Sequence, residues 1–105
     1  MTTTAAPAFE LTATATAPGT LALGGVLDFD TASAAWQAMR AALDAGAPAR
    51  LDLGGVQQSD SAGLSCVIAM LAESARRGRV LQAVHIPAGM LALARVCEVD
   101  RLLTG

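Results

Sequence analysis

The sequence has no lysine, no tyrosine and a single histidine, and each shortage narrows what the chain can do. Without lysine, seven arginines stand against nine acids, a net charge of −2. A nucleic-acid or anionic-membrane surface needs a basic excess, so neither is expected as a partner. One Trp and two Phe are the only aromatics, which leaves little material for base stacking. The two cysteines, Cys66 and Cys97, have no second Cys or His at metal-ligand spacing around them. They read as free thiols acting as small hydrophobes in a reducing compartment, and no metal, cofactor or catalytic residue is expected. No apolar run approaches the roughly 20 residues of a membrane span. The mean hydropathy of +0.49 comes mostly from 24 alanines. The first seven residues hold no basic group followed by an apolar run, so no secretory signal is expected.

What remains suits one folded domain. The 105 residues are 53% hydrophobic and 15% charged, enough to collapse around one core. Residues 1–7, rich in Thr, Ala and Pro, read as a tail, and 8–105 as a single domain. From Phe9 to Thr16 apolar and polar residues alternate as in a half-buried strand. Pro18-Gly19 marks a turn, and residues 20–23 supply the hairpin partner. Gly24-Gly25 breaks or bulges that strand, and Asp30 or Thr31 is a fitting N-cap for a first helix over 31–45. Its apolar face is Ala32, Ala35, Trp36, Met39, Ala42 and Leu43.

Residues 50–53 form a short strand that passes through Gly54–Ser59 into a second helix over 60–77. There Leu64, Val67, Ile68, Leu71, Ala72 and Ala75 form an apolar stripe, with Glu73, Ser74 and Arg77 facing out. Gly78 stops it. Residues 80–86 make a further strand, and Pro87 opens a third helix with Met90, Leu93, Ala94 and Cys97 on its core face. The order ββαβαβα predicts an α/β fold: a mixed sheet of about four strands, opening with a hairpin, with helices packed against it.

Ser59-Asp60-Ser61-Ala62-Gly63-Leu64 stands where a strand meets the mouth of the strongest helix. Unpaired N–H groups and the positive end of the helix dipole favour an anion or acceptor oxygen there. Ser59 or Asp60 as an N-cap accounts for part of this segment at about 1 kcal/mol. A glycine in a helical first turn costs up to about 1 kcal/mol relative to Ala, so Gly63 reads as a close approach of backbones.

Asp60-Ser61-Ala62-Gly63-Leu64, following Leu51-Asp52-Leu53, resembles the signature turn of the STAS domain. That family includes anti-sigma factor antagonists and the MlaB subunit of phospholipid-trafficking ABC transporters. The stretch from Leu21 through Gly25, Leu27-Asp28-Phe29-Asp30 and Thr31-Ala32 is similar to the family's passage into its first helix, and the layout continues to near Val99. Phosphorylated antagonists typically carry Asp-Ser-Ser/Thr-Gly, whereas MlaB-like members carry Asp-Thr/Ser-Ala-Gly-Leu. Ala62 and Ser61 match the second pattern.

The resemblance implies a non-catalytic cytoplasmic module, held at the inner membrane through its partner, that binds and regulates or stabilises the ATPase subunit of an Mla-type lipid-transport ABC complex. Its partner-binding residues would be Ser59, Asp60, Ser61, Gly63, Leu64 and Ser65. The alternative it implies is an anti-sigma factor antagonist, phosphorylated at Ser61, that binds a serine-kinase anti-sigma factor. A third reading places a small anion or nucleotide at the helix mouth. Met70 and Leu91 read as exposed apolar residues that would allow a homodimer. His85 reads as structural, Trp36 as a core anchor, and Arg76, Arg77 and Arg79 as a solvated helix end.

Overall fold

Eight elements follow one another in the computed structural model: β1 (Thr12–Ala15), β2 (Thr20–Leu27), α1 (Ala32–Gly46), β3 (Arg50–Ser59), α2 (Ser61–Arg76), β4 (Gln82–Val84), α3 (Ala88–Val96) and α4 (Asp100–Thr104). The structure describes residues 11–15, 19–46 and 48–104. The expected tail, residues 9, 10 and 16 of the expected first strand, and Pro18 lie outside them. The sheet order is β1-β2-β3-β4, with β1 antiparallel to β2 and the other neighbours parallel. The expected ββαβαβα order is borne out, and the short helix α4 is added at its end.

The alternation of buried and accessible residues fixes which sheet face carries the helices. Leu21 and Leu23 of β2 and Leu51 and Leu53 of β3 are buried, while the intervening Ala22 and Asp52 are partly accessible. Against the leucine face lie Ala35, Met39 and Leu43 of α1, Leu64, Val67 and Met70 of α2, Met90 and Ala94 of α3, and Leu103 of α4. Truncating one of the fully buried leucines to Ala costs about 2–5 kcal/mol in such a core.

β3 is much longer than the four residues expected, and the reason is a break in its parity. Ala22 pairs with Asp52 but Gly24 with Gly55, and Gly25 pairs with Val56 but Val26 with Gln58. Each shift inserts one extra residue into β3, so the inward positions move from Leu51 and Leu53 to Val56. A Cβ on Gly55 would lie 3.1 Å from the Leu23 carbonyl oxygen and 3.2 Å from Gly24 Cα. The two glycine pairs thus carry both strands through the irregularity side by side; Gly24-Gly25 does not end β2, and the extra residues of the bulges lie in β3.

β4 is shorter than expected, three residues instead of seven: it starts at Gln82, opposite Arg50 at the head of β3, and ends where His85 takes a left-handed backbone (φ 54°). α2 ends at a Schellman motif: Gly78 (φ 77°) donates its N–H to the Ala75 carbonyl and Arg79 to that of Ser74. Ser74, expected to face out, is fully buried, and its hydroxyl donates to the Arg79 carbonyl at 3.2 Å. The stripe of α2 is rotated accordingly. Ala72 and Ala75 are exposed, whereas Cys66 and Met70 are buried, so Met70 offers nothing to a second copy.

Both cysteines are free, but Cys97 is exposed at the end of α3 and is not a core residue. Cys66 is buried, its Sγ 3.5 Å from the Ala32 carbonyl oxygen, and burial pushes its thiol pKa up. In native buffer a thiol-specific reagent should therefore label Cys97 promptly and Cys66 only after denaturation. Equal labelling rates for the two would contradict this packing.

Candidate functional site

The parallel strands β2, β3 and β4 all end on one side of the sheet, and the connections that follow them form one surface. In open α/β sheets that carboxyl end is where ligands and partners are usually met. After β2 the loop Asp28–Thr31 is tied down by its own polar groups. Asp28 Oδ1 accepts from the N–H groups of Asp30 (2.9 Å) and Thr31 (3.2 Å). Thr31 Oγ1 donates to the Val26 carbonyl at 2.8 Å and accepts the Asp28 N–H at 2.9 Å.

After β3, Asp60 is the N-cap of α2, with extended backbone and its Oδ1 accepting the Gly63 N–H at 3.0 Å. Its other oxygen, Oδ2, accepts the Phe29 N–H at 3.1 Å across 31 residues of chain. The Gly63 N–H, aided by that of Phe29, holds the Asp60 carboxyl below the usual carboxylate range. Gly63 itself is pressed against β2. A Cβ there would lie 2.1 Å from the Leu27 carbonyl oxygen, so only glycine fits.

The residues expected at the site divide into two sets. Ser61, in the first turn of α2, and Ser65, one turn on, are exposed. Ser59 and Asp60 are half-buried beside them, and Ser59 also borders an open cleft of about 400 Å³ between β3 and the start of α3. Gly63 and Leu64 are buried, so they hold the turn from beneath and reach no surface. Among the described residues Ser61 Oγ has no hydrogen-bond partner, while Asp60 supplies the cap.

One residue of this surface escaped the sequence reading. Phe29 is 80% exposed, on the loop whose N–H Asp60 holds. The available signal was an aromatic flanked by Asp28 and Asp30 in a chain with only three aromatics. Elsewhere, Trp36 is half-buried and packs against the core from α1. His85, exposed, has its Nδ1 3.1 Å from Asp52 Oδ1, a partner 33 residues away that no local reading could find. The Gly54 N–H and then His85 draw the Asp52 pKa down. At the far end of α2, Arg76 and Arg77 pair with Glu73, whose pKa their hydrogen bonds lower to about 2, and Arg77 also reaches Asp44 at 2.7 Å. Among the described residues no group of three or more His, Cys, Asp or Glu is placed to hold a metal ion.

Two substitutions test this geometry. Gly63→Ala must push α2 off the end of β2, because the opposing atom is backbone, and should cost about 3 kcal/mol or more by chemical denaturation. Asp60→Ala should cost about 1 kcal/mol near neutral pH. The Asp60 pKa is lower folded than unfolded, so its contribution is present above the ordinary carboxylate range and fades as pH falls through the folded value. The gap between wild type and Asp60→Ala should therefore narrow in acid. A gap that widens there would contradict the assignment.

The architecture and the motif agree with known proteins. The family model described as "Mlab, STAS domain" matches residues 11–104. Comparison with curated proteins yields no match. Among solved structures, the Bacillus cell fate determinant SpoIIAA in its phosphorylated form aligns with a TM-score of 0.64 at 14% identity, covering 88% of this chain and 86% of that one. The anti-sigma factor antagonist SpoIIAA in its unphosphorylated form aligns with a TM-score of 0.62 at 15% identity, covering 81% of each chain. At such identity the likeness speaks for the fold. With the family match spanning nearly its whole length, the chain belongs to the MlaB-type STAS domain family.

Proposed function

We propose that the protein is a non-catalytic docking subunit that binds and regulates or stabilises the ATPase subunit of an Mla-type lipid-transport ABC complex. The observation that carries this reading is Ser61: an exposed hydroxyl at the mouth of α2, immediately before Ala62, on a turn held rigid by Asp60 and Gly63. The Ser-Ala-Gly-Leu order is the one the MlaB-like branch carries, and Ala62 removes the hydroxyl that phosphorylated antagonists place before the glycine. The docking surface is then Ser61 and Ser65, flanked by Ser59 and Asp60. Gly63 and Leu64 act from below. No helix among the described residues is long and apolar enough to cross a membrane, and in this reading attachment to the membrane complex runs through the partner.

A second reading keeps a specific observation in its favour. The fold is that of SpoIIAA, whose solved forms include a phosphorylated one, and Ser61 is accessible to a kinase. Phosphate there adds about −1.5 to −2 charges to a surface that already holds Asp30 and Asp60.

Co-purification with the ATPase subunit decides between them. Ser61→Glu should lose the ATPase while its melting temperature stays within about 4 °C of wild type, as expected for an exposed position. Recovery of the ATPase at wild-type yield with Ser61→Glu would sink the docking reading. Intact-mass analysis after incubation with a serine-kinase anti-sigma factor and ATP tests the second reading, which requires a stoichiometric phosphate adduct at Ser61.

A further inference from the structure

Four large apolar side chains stand exposed among the described residues, Phe29, Val80, Val96 and Leu102, and Phe29 is the aromatic one. Its ring is 80% exposed on a loop of four residues. A loose aromatic would fold back onto neighbouring apolar surface. Here the backbone beneath the ring is fixed from both sides. The Asp28 carboxylate and the Thr31 hydroxyl brace the loop internally, and Asp60 Oδ2 receives the N–H of Phe29 itself. The ring is thus presented outward at little conformational cost, the property expected of an interface anchor.

The surroundings specify what the ring fits. Asp28 and Asp30 flank it in the chain and Asp60 holds its N–H, and none of the three takes part in an ion pair among the described residues. The arginines at the far end of α2 lie about 24 Å from Asp60, the length of a sixteen-residue helix, and Arg40 stands about two turns into α1. The surface is therefore an apolar knob inside an acidic rim, continuous through Asp60 with the exposed Ser61.

We propose that Phe29 is the anchor of the docking surface, and that it seats in an apolar socket of a partner protein rimmed by arginine or lysine. This rests on the docking reading above and names the chemistry of the partner's side. The acidic rim opposes insertion into an anionic membrane and opposes a second copy of the same face.

The test uses the purified ATPase subunit of the Mla-type complex from the same cells, with binding to the full chain followed by calorimetry and by association kinetics. Phe29→Ala should weaken binding by at least about 30-fold, with Phe29→Leu intermediate. Asp30→Asn should slow association several-fold at low salt and much less at high salt, as a rim charge does. Thermal melts of the three variants should match wild type, since both side chains are exposed. If wild type binds, Ser61→Glu does not, and Phe29→Ala binds within about twofold of wild type, the anchor is overturned and the docking reading survives. If wild type itself does not bind, both fall. Phe29-dependent co-sedimentation with phosphatidylglycerol vesicles, or a Phe29-dependent dimer in ultracentrifugation, would also overturn the proposal.

Discussion

A single carboxylate ties the two connections on which the site is built. Asp60 Oδ1 closes the first turn of α2 through Gly63, and Oδ2 reaches across to the loop after β2 through Phe29. Neither bond alone is large, since a charge-assisted hydrogen bond contributes about 1.5–3 kcal/mol at best. Their effect is geometric. A residue capping only its own helix would leave the neighbouring loop to wander. A residue bonded only to the loop would leave α2 frayed at the place where Ser61 must stand. Sharing one side chain between them fixes Ser61 and Phe29 relative to each other without burying either.

Gly63 supplies the other half of that constraint. The mouth of α2 lies so near the end of β2 that no side chain fits between Gly63 and the Leu27 carbonyl. A glycine in a helix is ordinarily a local cost of about 1 kcal/mol. Here that cost is offset by the close seating of α2 on the sheet, beside which Leu64 and Val67 bury fully. Local propensity yields to tertiary contact at the candidate site, a pattern common at functional sites.

The fold was legible where periodicity was unbroken. The faces of α1 and the order of elements follow from apolar spacing alone, and Gly78 marks the end of α2 by its backbone requirement. Legibility failed where one residue changed the phase. β3 lost its alternation because a first bulge moved the inward position from Leu53 to Val56 and a second follows Val56, and a window of period two reads such a segment as a loop. Ser74 was misplaced because its partner is the Arg79 carbonyl, a contact made only once the chain has turned at Gly78. Of the site, the Asp60–Leu64 turn could be read because its chemistry is local. Phe29 could not, because its exposure depends on a bond to a residue 31 positions further along.

The charge distribution bears on how such a surface could be regulated. Ser61 opens α2, where a phosphate would meet the positive end of the helix dipole and gain about 0.3–1 kcal/mol. It would also face the carboxylate of Asp60, which cannot withdraw because it holds two backbone N–H groups. Attraction and repulsion act within the same few ångströms and oppose each other, so the fold has little net reason to rearrange. A partner with a basic socket would feel a deeper negative potential, and a partner with a close-fitting neutral pocket would meet a bulky charge where a small hydroxyl had fitted. The consequence of modification therefore lies in the partner's surface and not in a conformational change of this one. That follows from a site whose rigidity is built into Asp60 and Gly63.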